Sequence, residues 1–423
     1  MNSIQYIREN RETAIERLSI RNIDGEAVIG QVIDIDERRR KTQNELDTLK
    51  ATANQLADQT GVLFKAGKTA EGNDLKNKSL ALKEETKTLG DLLLSLEKEL
   101  QTMMISLPNL PHLNVPRGKM PEENKTIHSE GTIPEFDFNA LPHWDLATKY
   151  DLIDFELGNK ITGAGFPVYK GKGAKLQRAL IQFFLDRAVN EGYREIQPPI
   201  MINEASGYGT GQLPDKEGQM YYVPADGLYL IPTAEVPVTN LYRDVIVKSE
   251  DLPIKMTAYT PCFRREAGSY GADVRGLNRL HQFDKVEIVQ IQHPENSYAT
   301  LEIMKDYVAS LLRDLELPFR ILHLCGGDMG FASAWTYDLE VYSAAQKRWL
   351  EVSSVSNFES FQANRLKLRF REGQNKPQPA HTLNGSALAL PRIVASLLEN
   401  NQTPNGIRIP NALVPYTGFD FIG

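Results

Sequence analysis

The chain has 423 residues, 41% of them hydrophobic and 24% charged, with two cysteines and a formal net charge of −7. That length exceeds what one core ordinarily fills, so two domains are expected, and Cys262 and Cys325 are too few for a disulfide framework or a four-ligand zinc site. The longest leucine run, Leu92-Leu93-Leu94, is far too short to cross a bilayer, and Met1 to Glu9 holds no apolar signal core, which points to a cytoplasmic protein with no membrane partner.

All 23 prolines follow Leu107. The segment before them carries a seven-residue apolar repeat: Val28, Ile35, Thr42, Leu49, Leu56 and Leu63 on the way out, Leu75, Leu82, Leu89, Leu96 and Met103 on the way back. Val32, Leu46, Ala53, Leu93 and Leu100 fill in beside them. Heptads of this length predict two long helices supercoiled together. Gly61, Gly67 and Gly72 lie between them and predict a chain reversal, hence an antiparallel hairpin over about 27–103 within an N-terminal domain of 1–107. Some 33 residues per helix, at about 1.5 Å each, make an arm on the order of 50 Å long. Such an arm buries only its own seam, so it must project from a body or lie against a partner, and a dimerisation coiled coil is the plainer reading. Arg38-Arg39-Arg40-Lys41 reads as a solvated face, whereas Lys65, Lys68, Lys76 and Lys78 gather basic charge near the tip. Phosphate contacts fit there despite the acidic total, because recognition rests on local patches.

From Leu107 to about Pro142 the text turns rich in Pro, Asn and Gly and reads as a linker into a second domain, 108–423. An amphipathic helix is predicted from Gly173 to Glu191, with Leu176, Leu180, Phe183, Phe184 and Ala188 on one face, ending at Gly192. Strands are predicted at Tyr221–Val223, Leu228–Ile231, Ile254–Phe263, Gln282–Gln292, Tyr337–Val341 and Trp349–Ser354. Helices are predicted over Pro294–Leu315 and Leu388–Glu399. Strands that mostly follow one another across hairpin-like connections predict an α+β fold with an antiparallel sheet flanked by helices. No Gly-x-x-x-x-Gly-Lys or dinucleotide fingerprint occurs, which argues against a parallel nucleotide fold.

Within the second domain, Phe263-Arg264-Arg265-Glu266 is followed by a glycine-rich loop and then by His281-Gln282-Phe283-Asp284-Lys285-Val286-Glu287. Arg264 and Glu266 fall at alternate positions of an apparent strand and are expected on one face, where a guanidinium could grip phosphate and carboxylate together and a carboxylate could accept from an exocyclic amine. An exposed Arg–Glu ion pair is the plainer reading, and Phe283 alone would be core. Glu351, in Glu351-Val352-Ser353-Ser354, is expected after a strand, with a hydroxyl three residues on, a set of oxygens suited to Mg²⁺. Thr382-Leu383-Asn384-Gly385-Ser386-Ala387 is expected to be a small-residue turn into a helix bearing Arg392.

Taken in order, these segments resemble the three signature motifs of class II aminoacyl-tRNA synthetases. Thr233-Ala234-Glu235, Thr260-Pro261-Cys262-Phe263-Arg264, the His281–Glu287 segment, His381-Thr382-Leu383-Asn384-Gly385-Ser386 and the helical arm make the chain similar, over essentially its whole length, to bacterial-type seryl-tRNA synthetases. The resemblance implies a class II antiparallel core with an N-terminal coiled-coil arm, and a ligase that activates L-serine with ATP and transfers it to tRNA(Ser), with tRNA(Sec) as a second acceptor. It further implies that Arg264, Arg265, Glu266, Leu280, Phe283, Glu351, Val352, Ser353, Ser354 and Arg392 meet ATP, with Arg264, Glu351 and Arg392 catalytic. Thr233, Ala234, Glu235, Arg264, Glu287, Thr382 and Ser386 would meet serine, and Glu351 and Ser354 would hold Mg²⁺. The Gly173–Pro199 segment would form a homodimer interface, with tRNA bound across subunits by the arm. Ala387 and Pro391 stand where the class often has glycine, which bears on backbone approach rather than on Arg392. A class II-like enzyme that loads some other acceptor would typically lack the arm, and a non-catalytic scaffold would have lost Arg264, Glu266, Glu351 or Arg392.

Overall fold

The computed structural model describes residues 1–215, 217–266 and 275–423, so most of the glycine-rich loop, 267–274, lies outside the described residues. The chain divides into two compact units, one of Asn2–Ser19 and Ile23–Pro108, the other of Met1, Ile20–Asn22 and Asn109–Gly423.

The first unit is helical: α1 (Ile4–Glu9), α2 (Arg11–Ile20), α3 (Gly25–Lys65) and α4 (Thr69–Ser106). Asp24 starts α3 by accepting from the Ala27 amide at 3.1 Å, and with no proline to stop it the helix runs 41 residues, about 60 Å. The reversal needs only Ala66-Gly67-Lys68, with Gly67 at φ 74°. Gly61 and Gly72 lie inside the helices, a correction to the expected three-glycine turn. Gly72 is buried because the Phe64 ring closes over it, where a Cβ would come within 3.0 Å.

The predicted seam is present but uneven. Val32, Ile35, Thr42 and Leu46 are buried on α3, as are Leu93, Leu96 and Leu100 on α4, whereas Leu49, Leu56, Leu63, Leu75, Leu82 and Leu89 are only half-buried. Ile29 and Asp36, one position off the heptad, are buried as well, because α1 packs on α3. Arg8 at 2.9 Å and Arg39 at 2.8 Å neutralise the Asp36 carboxylate. The repeat predicts the seam but not this second contact. Leu96→Ala, at a fully packed seam position, should cost about 2–5 kcal/mol, and Leu82→Ala less than about 1.5. Urea unfolding followed by helical circular dichroism checks the order, and equal losses would contradict the gradient of packing.

In the second unit, eight strands form the main sheet among the described residues: β1 (Lys125–Glu130), β2 (Arg194–Glu195), β3 (Ile254–Phe263), β4 (Gln282–Gln292), β5 (Phe319–His323), β6 (Trp335–Ser343), β7 (Arg348–Asn357) and β8 (His381–Ala389). Their order is β1-β5-β6-β7-β8-β4-β3-β2, antiparallel except for the β2–β3 pair. The predicted spans of β3 and β4 match the observed ones. Two strands correct the expectations. The small-residue segment 381–389 is not a turn but a central strand, paired with β7 on one edge and β4 on the other, so neighbours rather than propensity make it extended. The supposed linker contains β1, an exposed strand paired with β5.

Helices α5 (His143–Lys149), α6 (Gly171–Asn190), α7 (Glu235–Asn240), α8 (Ser297–Asp314), α9 (Phe361–Leu366) and α10 (Leu390–Asn400) complete the frame. The predicted apolar stripe of α6 is buried, and it joins Val286 and Ile288 of β4, Leu301 and Met304 of α8 and Ile393 and Val394 of α10 in one core. A second core, on the face of Met256, Ala258, Val289 and Ile291, is built with α7 and α9. Strand alternation therefore gives β4 two jobs: Val286 and Ile288 close the first core, while Val289 and Ile291 face the second.

Candidate active site

Past the end of β3 the chain leaves the sheet, so Arg264, Arg265 and Glu266 are not strand residues and the alternation expected of Arg264 and Glu266 does not hold. Glu266 takes φ 47°, a left-handed turn. Two backbone bonds still tie the segment down, from the Arg264 amide to the His281 carbonyl at 3.0 Å and from the Arg265 amide to Gln219 at 2.9 Å. The Arg264 guanidinium lies 5.2 Å from the centre of the Phe283 ring. Arg265 lies over Tyr221, and the Glu266 carboxylate pairs with Arg279 at 2.9 Å.

Arg392 stands in the first turn of α10, with Pro391 at a position where its missing amide is harmless. It donates to the Asn278 carbonyl at 3.1 Å and to the Glu351 carbonyl at 2.6 Å, and its guanidinium is 3.8 Å from the Glu351 carboxylate. Glu351 lies within β7 rather than after a strand.

A bulge explains how Glu351 and Ser354 meet. Pairing runs Asp338 with Ser354 and Leu339 with Ser353, then skips Val352 to pair Glu340 with Glu351. The extra residue shifts the alternation, so Glu351 and Ser354 share a face with Asp338 and Glu340, although their spacing of three would put them on opposite faces of a regular strand. The side chains of Val352 and Ser353 are correspondingly buried on the other side, Ser353 donating to the Ser386 carbonyl at 2.6 Å. Leu280 and Val352 belong to the apolar core, and Ala234 to the second core. What Ala234, Leu280, Val352 and Ser353 can offer a ligand is main chain. Asp338, which the sequence reading passes over, is pushed well above the usual carboxylate range by burial and by the Glu351 charge, while its hydrogen bond with Ser354 acts the other way.

Beside Phe283 on the odd-numbered face of β4 come Lys285 and Glu287, both buried. Lys285 pairs with Glu287 at 2.5 Å and donates to the Thr233 hydroxyl at 2.9 Å, and that hydroxyl reaches Glu287 at 3.2 Å. Deeper in, Gln362 of α9 donates to Glu235 at 2.5 Å and accepts from Thr382 at 2.7 Å. Ser386 lies directly across from Glu287 in the β4–β8 register. The structure thus joins Thr233, Glu235, Glu287, Thr382 and Ser386, and it adds Lys285 and Gln362. Lys285 could have been found from its place two residues before Glu287 in a predicted strand. Gln362 gave no signal, because α9 carries no clear periodicity over six residues.

Two family models match the chain, the seryl-tRNA synthetase N-terminal domain over 1–111 and the tRNA synthetase class II core domain (G, H, P, S and T) over 221–401. The serine–tRNA ligase of Salinibacter ruber is 50% identical, with 100% of this chain and 99% of that protein covered. The chain belongs to the seryl-tRNA synthetase family. Its activity is that of a serine–tRNA ligase, an aminoacyl-tRNA synthetase of class II. The crystal structure of seryl-tRNA synthetase from Pyrococcus horikoshii complexed with ATP has a TM-score of 0.94 at 32% identity, covering 100% of this chain and 99% of that one. A prolyl-tRNA synthetase from Giardia lamblia, at 16% identity and a TM-score of 0.56 over 65% of this chain and 57% of that one, shares the fold.

Burial, with the Glu287 charge second, pushes Glu235 from 4.5 up to about 7, against Gln362, Lys285 and Arg264, which favour its ionised form. Between those pH values the folded protein holds a proton that the unfolded chain has released. The contribution of Glu235 to stability therefore falls as pH rises through that window. Glu235→Gln, which keeps the shape without the titration, should flatten the stability–pH curve between about 4.5 and 7 in urea unfolding. An unaltered slope would place the titration elsewhere.

Proposed function

We propose that the sheet face carrying Phe283, Lys285 and Glu287 binds ATP and L-serine end to end and joins them as seryl-adenylate before the seryl group passes to the 3′ end of tRNA(Ser). One observation carries this reading: alternate residues of β4 put an aromatic ring, a buried cation and a buried acid in line on one face. Four residues of strand span about 13 Å, roughly the reach from an adenine ring to the side chain of an adenylated amino acid.

In this reading Phe283 stacks on the adenine, Arg392 covers it from the other side and reaches the terminal phosphate, and Glu266 accepts from the adenine amine. Arg264, against the Phe283 ring, bridges the α-phosphate and the serine carboxylate through its fork of donors. The serine carboxylate attacks the α-phosphorus in line and pyrophosphate leaves. Held guanidinium groups answer the charge that builds on the phosphate oxygens, and no general base is required. Glu351 and Ser354 would hold Mg²⁺, which supplies further charge neutralisation on the phosphates. Their shared face and hard oxygen atoms, with Asp338 alongside, fit such an ion.

Glu287 would hold the serine hydroxyl or ammonium, exchanging part of its bond with Lys285 for the ligand. An amino acid without the hydroxyl leaves a buried acid underused, and that is the strong form of discrimination. Glu287→Ala should raise the half-saturating serine concentration about 100-fold in ATP–pyrophosphate exchange and change that for ATP less than about threefold. Equal effects on both would remove Glu287 from the serine pocket.

The long hairpin supports a tRNA partner met by shape and backbone, with the basic tip toward phosphate, and in a homodimer the arm of one subunit would serve the other's site. Deleting Gly25 to Met103 should leave exchange within about threefold while aminoacylation of tRNA drops at least ~100-fold. A parallel loss of both would undo this division of labour.

A further inference from the structure

His143, the first residue of α5, is fully buried and touches none of the proposed ligand positions. Its Nε2 accepts from the Leu277 amide at 2.8 Å. An amide can only donate, so the ring proton sits on Nδ1, which donates to Glu399 at 2.7 Å. That carboxylate also accepts from the His143 amide at 2.9 Å, from Gln346 at 3.0 Å and from the Ser343 hydroxyl. Burial would raise the Glu399 carboxyl, but these bonds outweigh it and hold the group below its ordinary range.

The chain His143 grips is the one that leads back to the site. Leu277 is followed by Asn278, whose backbone carbonyl accepts from Arg392 at 3.1 Å and whose side-chain Nδ2 donates to Gln346 at 3.0 Å, and then by Arg279, the partner of Glu266. Glu399 and Arg392 belong to one helix, α10. His143 thus ties the far end of that helix to the segment that holds the guanidinium near its start. The fit around the ring is close: a Cβ at Gly276 would come 2.3 Å from Nε2.

We propose that His143 is a positioning residue for ATP, setting the place of Arg392 through the Leu277–Asn278 backbone. This rests on the reading that Arg392 meets the nucleotide. In the full chain, His143→Ala should raise KM for ATP about tenfold in pyrophosphate exchange and leave KM for serine within about twofold. His143→Gln, which retains an acceptor and a donor in the buried space, should recover most of the loss and guards against a variant that fails to fold. In an Arg392→Ala background the His143 substitution should add less than about twofold, because the two act as a unit.

Four results would overturn the proposal: an unchanged KM for ATP in both His143 variants, a proportional rise in both KM values, a fall only in the number of active sites, or full additivity with Arg392→Ala. If Arg392→Ala alone left KM for ATP unchanged, the reading of the site itself would fall. A normal His143 variant beside an impaired Arg392 variant would sink only the inference.

Discussion

Charge buried on a sheet face has to be paired before any ligand arrives, and much of the architecture follows from that constraint. Lys285, Glu287 and Glu235 sit almost out of water, where an isolated ion would cost several kcal/mol. Lys285 and Glu287 answer one another from the same strand, while Glu235 relies on Gln362 and retains its proton up to about neutral pH. Each buried ion thus has an internal partner that a polar ligand could exchange with.

The sheet divides this task from stability. One face is closed by α6, α8 and α10 over a largely apolar core. The other is covered only in part by α7 and α9, which leaves room for acids, a lysine and arginines drawn in from β3's end and from α10. The arginines are restrained with little neutralisation: Arg392 is hooked to two carbonyls with the Glu351 carboxylate at 3.8 Å, and Arg264 rests on an aromatic ring. Main chain and π-face fix a guanidinium while leaving most of its positive charge available.

Much of this was legible in the sequence, and the gaps have physical causes. The heptads announce the arm because a long two-helix seam has no other way to bury itself, and β3 and β4 show as extended runs between punctuating loops. The contact of α1 with Ile29 and Asp36 left no periodic trace. Segment 381–389 looked like a turn because its small residues have little strand propensity; only its two neighbours make it a strand. Arg264 and Glu266 could not be placed by alternation because the strand stops one residue earlier. Glu351 and Ser354 meet through a bulge that spacing alone would have hidden. Gln362 and Asp338 came into view only with the fold, since their importance lies in what they touch.

The uneven fastening of the arm has a mechanical meaning. Near its base the two helices are zipped by buried leucines, whereas the leucines of the outer turns are only half-buried. Opening of the outer turns therefore exposes little apolar surface, and the free energy of such fraying declines steadily with distance from the base. Any molecule that grips both helices near Gly67 must also hold them together, so part of its binding energy is taken up in fastening the tip and the remainder appears as affinity.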